Sequence, residues 1–102
     1  MKYVIAWTPR ANGSGAENEE TIRRNLEIFA QWSPPAEQTF HQFLNRIDGQ
    51  GGFGVVETED ASSLLDVVAK FAPYHEFAIY PVVEATEAAQ AYRRGMEFRD
   101  ST

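Results

Sequence analysis

Hydrophobic positions along the chain follow two different spacings, one typical of strands and one typical of helices. The runs "KYVIAWT" and "FGVVET" are short and rich in β-branched and aromatic residues, which favours strands. Between them, Ile22, Leu26 and Phe29 recur at the three- and four-residue spacing of a helix face. The pattern predicts strand 2–8, helix 18–32, strand 38–48, strand 53–58, helix 61–72, strand 75–84 and helix 87–98.

This βαββαβ order with a final helix predicts a single α+β, ferredoxin-like domain over residues 1–102. Its four-stranded antiparallel sheet is expected to have the strand order 4-1-3-2, with the first and third strands in the centre. Those two strands are the most apolar, as central strands covered on both faces should be. Pro81 lies in the fourth strand, and proline is tolerated mainly on edge strands.

The segment around the second strand carries two local signals. Phe40 and Phe43 do not share a face of a regular strand, so the strand needs a bulge or two buried sides. The glycines that follow, Gly49, Gly51 and Gly52, are expected to adopt positive φ in a turn. Together these signals predict a hairpin between the second and third strands.

Polar residues before each apolar stripe predict the helix starts. Asn18 is the expected N-cap of the first helix, Asp60 of the second and Thr86 of the third. These residue types offer a side-chain oxygen to the free backbone N–H groups of the first turn.

Composition narrows the possible functions. The chain has no cysteine, and its start lacks the pattern of a secretory signal, so we expect a cytoplasmic protein. A net charge of −6 without a basic cluster argues against nucleic-acid binding. No apolar run approaches the roughly 20 residues of a membrane span. A domain of this size buries only about 65% of its unfolded surface, so self-association would help it.

Three segments carry a resemblance to a known family: "KYVIAWTPR" at the start, "GGFGVVETED" after the glycine turn, and "PVVEATEA" after the fourth strand. Together they resemble a family of small proteins known only as a domain of unknown function, whose fold is similar to the dimeric α/β-barrel superfamily. The resemblance implies a homodimer in which two sheets face each other as a barrel, with the helices outside. It implies no activity, because the wider superfamily includes monooxygenases, isomerases, haem-degrading enzymes and ligand binders.

Neither glycine-rich stretch predicts a phosphate or nucleotide site. "GQGGFG" leads into a strand, whereas a phosphate loop leads into the start of a helix. "GSGAEN" precedes a helix but lacks the third glycine of the dinucleotide fingerprint and is crowded by glutamates. We therefore predict no cofactor, and the absence of any paired histidine or cysteine motif predicts no metal site.

His41 and Glu57 are the candidate catalytic residues. His41 lies inside the second strand, and histidine titrates near neutral pH, as a general base should. Glu57 lies near the end of a central strand, where a charge is costly unless it is paired or solvated. A structural histidine and a strand-end carboxylate, with or without Arg46 as its partner, explain the same residues without chemistry.

Four further residues are candidates for ligand binding. Trp7 and Tyr80 end adjacent strands in the expected order and are therefore placed for an aromatic cavity. Arg10 follows Trp7 and could hold a carboxylate, while Arg46 could polarise a substrate. The structural alternatives are core packing for the aromatic residues, a solvated loop position for Arg10 and a structural pair with Glu57 for Arg46.

Three functional hypotheses follow from the sequence. The first is a binder of a small apolar or aromatic metabolite, with a pocket between the sheet and the dimer mate. The second is a cofactor-independent enzyme, similar to a monooxygenase or an isomerase, with His41 as base. The third is a structural or interaction protein whose barrel is filled by its own side chains.

Overall fold

The computed structural model describes residues 1–102 and confirms the ferredoxin-like α+β fold. The sheet order is β2-β3-β1-β4, which is the predicted order read from the other edge, and every neighbouring pair is antiparallel. A single 3₁₀ turn over Ala61–Ser63 precedes the second helix. The elements are β1 Lys2–Pro9, α1 Gly15–Gln31, β2 Gln38–Asn45, β3 Gly52–Thr58, α2 Leu64–Phe71, β4 His75–Val82 and α3 Ala85–Asp100.

The core lies between the central strands and α2. Ile5 of β1, Val56 of β3 and Leu64 of α2 form a buried apolar cluster. Successive strand residues point to opposite faces, so β1 presents Ile5 and Trp7 to the helices and Ala6 to the other side. The sheet therefore has a helix-covered face and an open face, which we use as names below.

A bulge in β2 resolves the conflict between Phe40 and Phe43. The register of β2 against β3 shifts between Phe40 and Gln42, so that His41 is the additional residue. Both phenylalanines then point to the helix-covered face, with ring centroids 5.6 Å apart. The predicted bulge is confirmed.

The glycine turn before β3 is confirmed at two of its three predicted positions. Gly49 and Gly51 have φ of 74° and 111°, in the region that favours glycine. The prediction for Gly52 is wrong, because this residue belongs to β3 and does not have a positive φ. Gly52 instead allows the Trp7 ring to approach the backbone closely, since a Cβ atom at this position would lie 2.6 Å from that ring.

The predicted start of the first helix is also wrong. Helix α1 begins at Gly15, three residues before Asn18, and Ser14 is its N-cap. The Ser14 hydroxyl accepts a hydrogen bond from the Glu17 N–H at 3.2 Å, and the Glu17 carboxylate accepts one from the Ser14 N–H at 3.2 Å. This reciprocal capping box satisfies two backbone donors and lowers the pKa of Glu17.

The other two helix starts differ from the prediction in detail. Asp60 precedes the 3₁₀ turn, where its carboxylate accepts a hydrogen bond from the Ser62 hydroxyl at 2.6 Å and does not cap the backbone. Helix α3 begins at Ala85, so that Thr86 lies inside it, and Glu84 occupies the N-cap position without a side-chain cap.

Helix α3 projects from the rest of the chain. The radius of gyration is 18.0 Å, against about 13 Å for a globular chain of this length. The longest dimension is 63 Å, and no residue of α3 is buried. None of the three helices combines the length and the apolar composition needed to cross a membrane.

Gly51→Ala should lower the free energy of unfolding by about 2 kcal/mol or more, because it forces an L side chain into a strained backbone region. The new Cβ would also lie 1.8 Å from the Trp7 carbonyl oxygen. Urea denaturation followed by circular dichroism measures the change. Gly15→Ala is the matched control, since its Cβ meets no atom within 4 Å. Equal stability of the two variants would contradict the strained turn.

Candidate functional site

A cavity of about 190 Å³ lies on the helix-covered face, between α1, α2 and the sheet. Aromatic rings form most of its wall. Trp7 and Phe43 have ring centroids 5.1 Å apart, and Trp32 meets the Phe71 ring edge-on at 6.0 Å. Leu26 of α1 also lines the cavity and is 60% exposed, so the cavity opens to solvent along α1.

Three polar side chains in the cavity wall carry buried atoms without a hydrogen-bond partner. These atoms are Asn25 Oδ1, Trp32 Nε1 and His75 Nδ1. A buried polar atom that lacks a partner costs about 1–3 kcal/mol, and such atoms are rare in folded proteins. Three such residues line one cavity, so unpaired polar groups are concentrated in its wall.

His75 is neutral at neutral pH in this position. Burial holds the pKa of its imidazole below the usual 6.5, and a contact with the Thr8 backbone opposes the shift only in part. His75 is the first residue of β4, half-buried, and its register partner is Pro9 of β1.

The open face of the sheet is apolar in its middle and polar at one end. Exposed side chains from three strands form the apolar part, among them Leu44, Phe53 and Tyr80, which are 53%, 45% and 55% exposed. Leu44 lies opposite Phe53, while Tyr80 lies opposite Val4. Exposed apolar and aromatic surface of this kind is typical of an oligomer interface or a binding surface.

His41 and Glu57 meet at the polar end of the open face. The bulge turns His41 toward this face, where its Nε2 lies 2.8 Å from Glu57 Oε1. The hydrogen bond from His41 lowers the pKa of Glu57, helped by the charges of His41 and Lys2. Lys2 in turn binds Glu84 at 2.6 Å. A carboxylate at this distance orients an imidazole, as a general base requires.

The structure places the other predicted site residues apart from this pair. Arg46 pairs with Asp48 in the β2–β3 turn and does not contact Glu57. Arg10 donates from Nε to the Ala72 carbonyl at 2.9 Å and from Nη1 to Glu76 at 3.2 Å. Both arginines are thus engaged in contacts within the chain. Arg46 contacts its own turn, and Arg10 connects the segment after β1 to the end of α2 and to β4.

Trp7 and Tyr80 lie on opposite faces of the sheet. Trp7 pairs with Phe77 and lines the cavity, whereas Tyr80 pairs with Val4 on the open face. Their strands are adjacent, as predicted, but β1 and β4 are antiparallel, so the two residues also lie toward opposite ends of the strands and do not line one cavity within a single chain.

Asn25 and His75 are candidate site residues that the sequence reasoning did not select. Asn25 stands inside the apolar stripe of α1, three residues after Ile22 and four before Phe29. A polar residue at a core-facing position of a helix is a signal that the sequence contains. His75 carries no comparable signal, because its burial depends on how the folded chain packs around the start of β4.

The sequence matches a known protein family. Residues 1–96 match the model of a domain of unknown function, DUF3303. The chain belongs to the DUF3303 family. No curated protein matched the sequence. The family match extends from β1 through most of α3 and assigns no activity, so the function of this DUF3303 domain must be argued from its geometry.

Glu57→Gln should be less stable than the wild type near about pH 6, and this difference should shrink as the pH falls below 4.5. The folded-state pKa of Glu57 lies below its ordinary value of 4.5, so the ionised carboxylate stabilises the fold above that pH. This stabilisation is lost as the pH falls through the folded-state pKa. Urea midpoints across this pH range measure the difference.

The same substitution in a His41→Ala background is the control. Without the imidazole, the pH-dependent difference should shrink, because its largest cause is gone. A difference that stays the same in both backgrounds would contradict a His41–Glu57 interaction in solution.

Proposed function

We propose that this DUF3303 domain binds a small neutral aromatic molecule in the cavity between α1 and the sheet. The observation that carries the proposal is an aromatic-walled cavity whose lining includes Asn25, Trp32 and His75, three residues that each have a buried polar atom without a partner. The first hypothesis from the sequence placed the pocket between the sheet and the dimer mate, whereas this proposal places it on the helix-covered face.

The size of the cavity limits the ligand to about one ring. A dry cavity of about 150 Å³ accommodates benzene, so 190 Å³ leaves room for a ring with one or two polar substituents. No lysine, arginine or carboxylate lines the cavity, so a charged ligand would lose its hydration without compensation.

The polar atoms define what the substituents must offer. The Asn25 Oδ1 atom accepts hydrogen bonds, and the Trp32 indole N–H donates one. A hydroxyl group on an aromatic ring supplies both a donor and an acceptor. A phenol-like compound is therefore the probe that fits these groups best.

Asn25→Leu should weaken phenol binding about fivefold and at the same time raise the free energy of unfolding by about 1 kcal/mol. The substitution removes both the ligand's acceptor and an unsatisfied buried atom. Fluorescence reports binding well, because Trp7 and Trp32 are the only tryptophans and both line the cavity.

Asn12→Leu, in the exposed loop before α1, is the matched control and should change neither quantity. Benzene, which offers no hydrogen bond, should bind both variants and the wild type alike. If Asn25→Leu destabilises the protein, Asn25 is hydrogen-bonded in solution and the proposal loses its main support.

A second candidate function is catalysis at the open face, favoured by the 2.8 Å contact of His41 with Glu57. In this hypothesis His41 is the base of a cofactor-independent enzyme, and the substrate lies between two copies of the chain. We further propose a homodimer formed through the open faces, on the support of their exposed apolar side chains. A barrel filled by side chains alone is the alternative without ligand or catalysis.

His41→Ala should leave the circular dichroism spectrum and phenol binding unchanged, because His41 lies on the opposite face from the cavity. It should abolish turnover of any substrate the wild type transforms. An unfolded His41→Ala variant would show that this histidine is structural, and turnover that survives would remove it as the base.

A further inference from the structure

A helix as short as α3 is only marginally stable by itself, yet none of its residues is buried in its own chain. It spans 16 residues, close to the length below which isolated helices are marginal in water. Tyr92, Met96 and Phe98 are 72%, 49% and 71% exposed. A helix of this kind obtains most of its stability from an apolar face packed on a partner.

Helix α3 has such a face. Ala85, Ala88, Tyr92 and Met96 follow the three- and four-residue spacing that places them on one side of the helix. The structure leaves this stripe uncovered, since none of its residues is buried. The partner that covers it must therefore come from outside the chain.

Charge indicates what kind of surface that partner has. Arg93, Arg94 and Arg99 of α3 have no acidic partner within the 4.0 Å of an ion pair. Residues 1–84, which we call the body, contain twelve acidic and six basic side chains. Helix α3 also carries Glu87, Glu97 and Asp100 and is neutral as a whole, so its arginines, and not its net charge, are what the acidic body of a second copy can pair with.

The position of α3 makes it continuous with the open face. The helix follows β4 almost directly, and its first turn adjoins Lys2, Glu57 and Val82 at the end of that face. Four strands of this length cover roughly 20 by 25 Å, or about 500 Å². A stable interface buries about 800 Å² per partner, so the open face needs an additional contact.

We infer that α3 packs on the body of a second copy, so that two chains exchange their C-terminal helices. This inference rests on the proposed homodimer and specifies how it is held. The open faces form the centre of the interface, and each α3 covers apolar surface of the partner while its arginines meet acidic groups there.

A pair of substitutions in the stripe tests the energetic contribution of α3. Tyr92→Asp with Met96→Asp should raise the dimer dissociation constant at least tenfold in sedimentation equilibrium. Both side chains are exposed in the single chain, so the fold itself should persist. Leu65→Asp is the matched control, because Leu65 is an exposed apolar residue of α2, 66% exposed, and should leave the constant unchanged.

The contact itself is tested with a spin label. The chain has no cysteine, so Gln90→Cys provides a single attachment site on the exposed side of α3 away from the stripe. A labelled copy is mixed with an unlabelled, ¹⁵N-enriched copy, and intermolecular broadening of amides in residues 1–84 is measured. Broadening of body amides beyond the open face would support the exchange.

The outcomes separate this inference from the homodimer on which it rests. A dimer without broadening, or one that Tyr92→Asp with Met96→Asp leaves intact, overturns the exchange of α3 and preserves the homodimer. Phe53→Asp on the open face should then still dissociate it. If the wild-type protein is a monomer at about 100 μM, both the homodimer and the exchange of α3 are overturned. The expected tenfold rise in the dissociation constant assumes a wild-type constant in the micromolar range or lower.

Discussion

The bulge at His41 is the local feature on which both faces of the sheet depend. Without the additional residue, Phe40 and Phe43 would point to opposite sides, and the cavity would lose one wall. With it, both rings stay on the helix-covered face and His41 turns toward Glu57. Gly54 accommodates the arrangement, since a Cβ atom there would lie 3.3 Å from the Phe40 ring. One inserted residue thus shapes the cavity and creates the contact between His41 and Glu57.

The chain buries little of its own apolar surface. Only 11 of 102 residues are buried, and five of these form the apolar core. Small domains are only marginally stable, so each apolar surface that the chain leaves uncovered affects the free energy of unfolding noticeably. Here the uncovered features are the cavity, the open face and α3. A ligand or a second copy that binds only the folded state would stabilise it by mass action, so the proposed binding events also support the fold.

The order of the elements and of the strands could be predicted from the sequence because both depend on local patterns. The apolar runs mark the central strands and Pro81 marks an edge strand, while the conflict between Phe40 and Phe43 leaves only a bulge or a strand buried on both sides. The capping box of α1 was also present in the sequence, as Ser14 with Glu17 three residues later, but Asn18 offered a competing cap.

The faces could not be predicted in the same way. Alternation along β1 and β4 separates Trp7 from Tyr80 only when the register between the strands is known. The sequence also does not show which face of the sheet the helices cover. The position of the cavity and the burial of His75 both depend on which face is covered. Asn25 is the exception, since a polar residue inside the apolar stripe of α1 marks a site at the level of sequence.

The geometry also separates the two functional hypotheses in space. A general base must lie within hydrogen-bond reach of the proton that it takes, at about 3 Å. His41 and the cavity lie on opposite faces of the sheet, and side chains on opposite faces point apart. A molecule in the cavity is therefore beyond the reach of His41, and the only imidazole beside it is His75, kept neutral by burial. Chemistry on a cavity ligand would thus require His75, whereas chemistry by His41 would require a substrate at the open face.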